Sequence, residues 1–188
     1  TEIYTLSLHD ALPISFLPLQ GRPLLEPVLK LFRTRFSEIL LAGDRGERFA
    51  AYSLPVVPDI FPGSSLGGIH AALAATDKES IFVAPCDLPF PSAPLLDHIC
   101  SLSGDSDAII PVSPQGYEPL YGLYSKRCIE PAKRLLENGD FRIIDLYSMV
   151  KITFITGDEL EALTAGDSAF LNINTPEEYR NLSSEGQL

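Results

Sequence analysis

Ile81-Phe82-Val83-Ala84-Pro85-Cys86-Asp87-Leu88-Pro89 is the stretch that decides the fold. Its first four residues form an unbroken apolar run, which predicts a strand covered on both faces. Pro85 and Pro89 then bracket a turn that carries one carboxylate, Asp87. A strand covered on both faces needs helices to cover it, and the flanks supply them. Ahead of it, Leu66, Ile69 and Leu73 keep helical spacing through an Ala-rich stretch. Behind it, Ser92 can cap a helix carrying Leu95, Leu96, Ile99 and Leu102.

The alternation continues in both directions. Toward the N-terminus, Val56-Val57 and Ile39-Leu40-Leu41-Ala42 read as short buried strands, each followed by a Pro-Asp or Gly-Asp pair. Leu24, Val28, Leu31, Phe32 and Phe36 mark a helix that Pro23 can open. Toward the C-terminus, strands are expected at 108–112, 120–124, 151–155 and 170–174. Helices are expected at 128–136, 142–149 and 158–163. Thr175-Pro176-Glu177-Glu178 has the form of a capping box. The pattern predicts an α/β fold, a mostly parallel sheet with helices on both faces.

Composition narrows the function. The 188 residues suit one domain, with 45% apolar and 21% charged residues. No run of 18 apolar residues exists, so no membrane-spanning helix is expected. The net charge of −11 argues against general attraction to nucleic acid. An anionic ligand would need a local cation, a metal or backbone N–H groups. Cys86, Cys100 and Cys128 are odd in number and lack paired metal-ligand spacing, as expected of reduced thiols.

Thr1 to Ser15 does not match the rest. It reads TEIYTLSLHDALPIS, with no glycine and no basic residue. It resembles translated sequencing adapter and is set aside as a non-native segment, although Glu2 to Leu8 alternates weakly and could pair as a strand.

In a doubly wound sheet, ligands bind outside the carboxyl ends of the strands. That places Gly43-Asp44, Asp59, the 63–68 loop and Asp87 on one edge. Asp87 suits a magnesium ion that keeps waters and takes substrate phosphates; it could equally cap the following turn. Asp59 can accept the parallel donors of a guanine, or close an Asx-turn. Gly67 and Gly68, in the Gly-Ser loop, allow close backbone approach at a helix start, or serve only turn chemistry. Asn172 and Asn174 share one strand face and can read a polar heterocycle or bond to loop backbone.

The runs QGRPL (20–24), VVPDIFPGSSLGGIHAAL (56–73), FVAPCDLPF (82–90), EPLYGLY (118–124) and LNINTPEEY (171–179) together resemble molybdenum cofactor guanylyltransferases, also described as molybdopterin-guanine dinucleotide biosynthesis protein A. The resemblance covers roughly residues 16 to 182. It implies a Rossmann-like nucleotidyltransferase fold that moves GMP from GTP to molybdopterin, with Mg2+, and releases pyrophosphate. It implies Asp87 as catalytic and metal-binding residue and Asp59 on the guanine side. Gly67, Gly68 and Asp44 would lie at the nucleotide, and Asn172 and Asn174 near the pterin. Ala42-Gly43-Asp44 stands where the family has an Asn-containing loop, and Ser65 where a Pro is common. The resemblance further implies a cytoplasmic enzyme, with no nucleic-acid or membrane partner and transient contact with cofactor-carrying or molybdoenzyme proteins.

One departure lies at the front. The family opens with a strand, a Leu-Ala-Gly-Gly loop, an Arg-Met-Gly turn and a Lys that together cradle the triphosphate. Here Ile14 falls at the Lys position. Residues 16–188 are therefore expected to form one nucleotidyltransferase domain lacking its natural first strand and phosphate loop, with impaired activity. The rival readings are a cytidylyl- or sugar-phosphate nucleotidyltransferase, and a non-catalytic nucleotide- or pterin-binding domain.

Overall fold

The structure is a computed structural model and describes residues 3–7, 16, 18–19, 21–42, 46–164, 167–171 and 173. Strand β1, Ile3–Ser7, lies inside the sheet, between β4 and β6. A small antiparallel hairpin of β2 (Pro18–Leu19) and β3 (Arg22–Pro23) precedes helix α1, Glu26–Arg33. Helix α1 starts later than Pro23 suggests. Pro23 pairs with Pro18 in the hairpin, and Pro27 takes the first-turn position, where a missing N–H costs nothing. Glu26 in the first turn and Lys30 and Arg33 in the last complement the helix dipole.

The chain then lays down β4 (Glu38–Ala42) and β5 (Val56–Val57), joined by a 3-10 stretch at Gly46–Tyr52. Helix α2, Ser65–Ala75, crosses back to β6, Ser80–Pro85. Next come α3 (Ala93–Ser101), β7 (Ala108–Ser113), β8 (Gly116–Tyr117), β9 (Gly122–Ser125) and α4 (Ile129–Glu137). The described chain continues through α5 (Ile143–Leu146), β10 (Ile152–Ile155) and α6 (Gly157–Thr164).

The sheet order is β10-β7-β9-β6-β1-β4-β5, with β8 paired to β7. Strands β5, β4, β1 and β6 run parallel, and β9 is antiparallel to both β6 and β7. Strand β7 therefore runs the same way as β6, and β10 is parallel to β7. Gly122 lets β9 enter between its neighbours: a Cβ there would meet the Ile109 carbonyl oxygen at 2.8 Å.

Two cores result, one on each face. Phe82 and Ala84 of β6 face the core of α1, α3 and α6, with Val28, Leu29, Phe32, Leu95, Leu96, Ile99 and Leu160. Ile81 and Val83 face the core of α2 and α4, with Leu66, Ile69, Ala72, Leu73, Ala132 and Leu136. The run of four apolar residues at 81–84 is this two-sided burial seen from the sequence. Each fully buried Leu, Val or Phe contributes about 1.5–3 kcal/mol. Among the described residues, no helix is long and apolar enough to cross a membrane.

The winding reverses at β1. From β1 the chain moves by α1 to β4 and outward to β5, then returns by α2 to β6 on the other side of β1. That reversal opens a crevice beyond the carboxyl end of β1, between β4 and β6. The expected strand at 170–174 does not form at the residues described there. Phe170 ends a 3-10 turn, and Ile173 N–H donates to the Asp87 carbonyl at 3.4 Å instead of joining a ladder.

Candidate active site

Three parallel strands carry an aspartate two residues beyond their last residue: Asp44 after β4, Asp59 after β5 and Asp87 after β6. Asp44, Asn172 and Asn174 lie outside the described residues. Asp59 and Asp87 both sit at the carboxyl edge, three strand spacings apart, about 14 Å across the sheet. Two ligands of one magnesium ion lie no more than about 4.2 Å apart. That strand separation is wider than two ligands of one ion require, and it suits an extended ligand lying along the edge.

Asp87 is 7% exposed. Burial pushes its carboxyl above the usual carboxylate range, opposed by a hydrogen bond from its own backbone N–H. Among the described residues, no salt bridge reaches it. Cys86 points into the core beside Leu88 and is free of disulfides, so it packs rather than reacts. Its neighbour Asp87 lies in the turn that follows β6.

Asp59, also nearly buried at 8% exposure, closes an Asx-turn: its Oδ1 accepts the Phe61 N–H at 2.8 Å. The carboxylate then rests against Gly67. A Cβ on Gly67 would meet the Phe61 carbonyl oxygen at 2.4 Å and the two Asp59 oxygens at 2.6 and 2.7 Å. Gly67 is therefore required by close approach of the 59–61 turn. Its N–H is taken by the Ser64 Oγ at 2.9 Å, and Gly68 N–H goes to the Ser64 carbonyl at 3.3 Å. The amides of Gly67 and Gly68 are thus both bonded to Ser64 within the helix start. Gly68 instead packs α2 onto the end of β4, with Ala42 Cβ at 3.7 Å from where its own Cβ would stand.

The chain is similar to known proteins. The MobA-like NTP transferase domain family matches residues 15–151. The chain belongs to that family. A relative from Pelotomaculum thermopropionicum, named probable molybdenum cofactor guanylyltransferase, is 34% identical over 75% of this chain and 69% of its own. A molybdenum cofactor guanylyltransferase from Vibrio atlanticus is 30% identical over 85% of this chain and 81% of its own. The crystal structure of molybdopterin-guanine dinucleotide biosynthesis protein A from Archaeoglobus fulgidus superposes with a TM-score of 0.81. It shares 23% identity, and the match covers 98% of this chain and all of that one.

The residues of this MobA-like chain fit a divalent cation in one way. Among the described residues, no group of three or more His, Cys, Asp or Glu could hold a metal by protein ligands alone. A single nearly buried carboxylate, Asp87, suits a magnesium ion whose octahedron substrate phosphates and water would complete.

Sequence reasoning passed over one pair on the same edge. Ser113 ends β7, and its hydroxyl donates to Glu118 Oε1 at 2.7 Å. Burial raises the Glu118 carboxyl above its ordinary range, and the Ser113 bond tempers the shift. The signal lay in EPLYGLY, where a charged residue opens an otherwise apolar run.

Proposed function

We propose that this chain transfers the guanylyl group of GTP to the terminal phosphate of molybdopterin. A phosphate oxygen of the acceptor attacks the α-phosphorus of GTP, and the bond to the β-phosphate oxygen breaks. Pyrophosphate leaves with the electron pair of that bond. The attacking oxygen is already ionised at neutral pH, so no general base is required and none is assigned.

The observation that carries this reading is Asp87: a nearly buried carboxylate with no salt bridge among the described residues, beside the topological switch point. Asp87 would hold a magnesium ion, which when bound supplies positive charge against the leaving pyrophosphate. Asp59 keeps the 59–61 turn against the start of α2 and borders the guanine side. Asp44, Asn172 and Asn174 stand with the nucleotide and the pterin in the same reading. Orientation and charge neutralisation, not covalent chemistry, are what these residues contribute.

The missing glycine loop and Lys in Thr1–Ser15 lead to slow transfer by this chain. Cys86, Cys100 and Cys128 stand outside disulfides, which suits a reducing compartment such as the cytoplasm, and exchange of molybdopterin calls for transient contact with proteins that carry it. The test is pyrophosphate release from GTP with molybdopterin and magnesium, compared with CTP in place of GTP. Release that prefers GTP and vanishes in Asp87→Asn supports the reading. Preference for CTP, or transfer that survives the substitution, refutes it.

A further inference from the structure

A cavity of about 410 Å3 opens at the edge of the sheet opposite Asp59 and Asp87, where β6 begins and β9 ends; Ser80, Leu123 and Ser125 line it. Ser80 opens β6 and Pro85 closes it, so the cavity lies about 17 Å along that strand from the edge that carries Asp87. Strand alternation fixes the face it occupies. Leu123 faces the core of α1, α3 and α6, whereas Tyr124 faces that of α2 and α4. Ser125 therefore shares the face of Leu123, and Ser80 shares the face of Phe82. Ser80 and Ser125 are direct cross-strand partners, which puts their Cβ atoms about 4.5–5.5 Å apart. Two hydroxyl side chains thus stand side by side on the sheet face that the cavity touches.

Ser125 is 8% exposed, and its Oγ is buried with no hydrogen-bond partner among the described residues. Its N–H donates to the Asp107 carbonyl at 2.8 Å, so the backbone is anchored while the hydroxyl is left over. A buried hydroxyl without a partner is costly, and such a group calls for an explanation. The charges around it supply one. Lys126, the next residue, is half-buried on the same cavity and makes no salt bridge among the described residues. Arg127 also lines the cavity, held by Asp107 Oδ1 and by the Ser106 carbonyl at 2.8 Å. The Lys78 ammonium is only loosely paired, 3.5 Å from Asp77 and 3.8 Å from Glu38. Asp77 and Glu79 share the wall, so three cations stand there against two carboxylates, in a chain whose net charge is −11.

We infer that this cavity is a second anion site, which binds a phosphate group between the Ser80 and Ser125 hydroxyls and the Lys126 ammonium. Phosphate oxygens accept from hydroxyls and from an ammonium, and the charge-assisted bond to Lys126 is the stronger kind. Such a ligand would satisfy the Ser125 hydroxyl and neutralise the unpaired Lys126 together. A cation would meet three positive side chains, and an apolar ligand would leave both groups unpaired. The volume lies in the usual range for small-molecule sites, about 300–1,000 Å3, and leaves room for an organic group beyond the phosphate. The phosphate comes either free or as a monoester of a small metabolite. The inference does not depend on the guanylyl-transfer reading, because the two edges of the sheet share no residue.

The test is calorimetric titration of the full chain, without magnesium, with inorganic phosphate and with ribose 5-phosphate. Potassium chloride at matched ionic strength controls for screening. The wild type should bind at least one of the two phosphates saturably, with a rise in thermal midpoint that chloride does not reproduce. Lys126→Gln should weaken that binding tenfold or more, and Ser125→Ala several-fold. Ser125→Ala should also raise the thermal midpoint of the unliganded protein, since it deletes an unpaired buried hydroxyl. Tighter binding of ribose 5-phosphate supports a metabolite monoester as the source, and equal or tighter binding of inorganic phosphate supports free phosphate. Should Ser125→Ala not fold, Lys126→Gln carries the test at a position that is not part of the core. Absence of saturable binding of either probe by the wild type, an equal response to chloride, or full affinity in Lys126→Gln overturns the inference.

Discussion

Replacing Asp87 with Asn should make the protein more stable while abolishing transfer. The carboxylate is 7% exposed and its pKa is raised by burial. The sign follows from linkage. Unfolded, the group titrates near 3.8; folded, it titrates higher, so above pH 3.8 the folded state bears a growing penalty for the charge. The penalty is complete once the pH exceeds the folded pKa. A buried polar group lacking its partner costs about 1–3 kcal/mol, and more for a charge. Asn keeps the shape and drops the charge, so a gain of about 1–3 kcal/mol is expected. For a chain of this length each kcal/mol moves the midpoint by about 2–4 °C, giving a rise of about 2–12 °C.

Magnesium and GTP should close that gap from the other side. A ligand at a hundred times its Kd stabilises the fold by about 2.7 kcal/mol, and this should be seen in the wild type and be absent in Asp87→Asn. The assay is thermal unfolding at pH 7 with and without both ligands, alongside pyrophosphate release. A variant less stable than the wild type in the absence of ligands would show that Asp87 is a structural cap. Equal stabilisation of both proteins by magnesium and GTP would show that the metal is held elsewhere.

Gly67→Ala should lower the thermal midpoint by about 2–12 °C, because the new methyl meets backbone at Phe61 and the Asp59 carboxylate together; overpacking of this kind costs about 1–3 kcal/mol. An unchanged midpoint would mean that the 59–61 turn moves freely. Stability should fall as pH drops below about 6.5, since burial lowers the folded pKa of His70 and the unfolded chain takes up a proton that the folded ring refuses. His70→Gln should flatten that part of the profile in denaturant titrations between pH 5 and 7, and an unaltered slope would assign it to other groups. Replacing Thr1–Ser15 with a strand, Gly-Gly loop and Lys should raise guanylyl transfer by orders of magnitude, as each charge-assisted phosphate contact is worth about 1.5–3 kcal/mol. Equal rates before and after the graft would show that the segment does not limit turnover.

The sheet was legible because its strands are short apolar runs cut off by Pro, Gly and Asp. Residues 39–42, 56–57, 81–84 and 108–112 all form strands within a residue or two of where the runs end. Helices were legible where a cap and a spacing agreed, as at Ser64 and Ser92, whose hydroxyl oxygens accept from Gly67 and Leu95. What the sequence hid was direction and occupancy. Nothing in GLYS distinguishes an antiparallel β9 from a parallel one, since both faces are buried either way. Nor does GSSLGG say that Ser64 claims the amides a ligand would want; a serine one residue earlier than the helix competes with the ligand for the same donors.

The front of the chain supplies an inner strand of the sheet, between β4 and β6. Ile3–Ser7 pairs in parallel with β4 through Ile3–Glu38 to Ser7–Ala42, and with β6 through Ile3–Ile81 to Ser7–Pro85. A segment chosen only for weak alternation thus meets two ready ladders, and backbone hydrogen bonds do not ask for particular side chains. Phosphate binding is different in kind. A loop that follows this strand must bring its amides close to an anion, which calls for glycine, and must offer a cation; Leu8 to Ser15 contains neither. Strand pairing here is carried by backbone groups, whereas phosphate chemistry at the strand's end would depend on a few residue types. Fold and activity can be uncoupled at this one point of the chain. In the proposed reading, the loop graft and the Asp87 substitution probe two halves of one phosphate site, one supplying donors and the other a cation. Because both would act on one triphosphate, their effects on transfer should be less than additive, with Asp87→Asn removing most of what the graft restores.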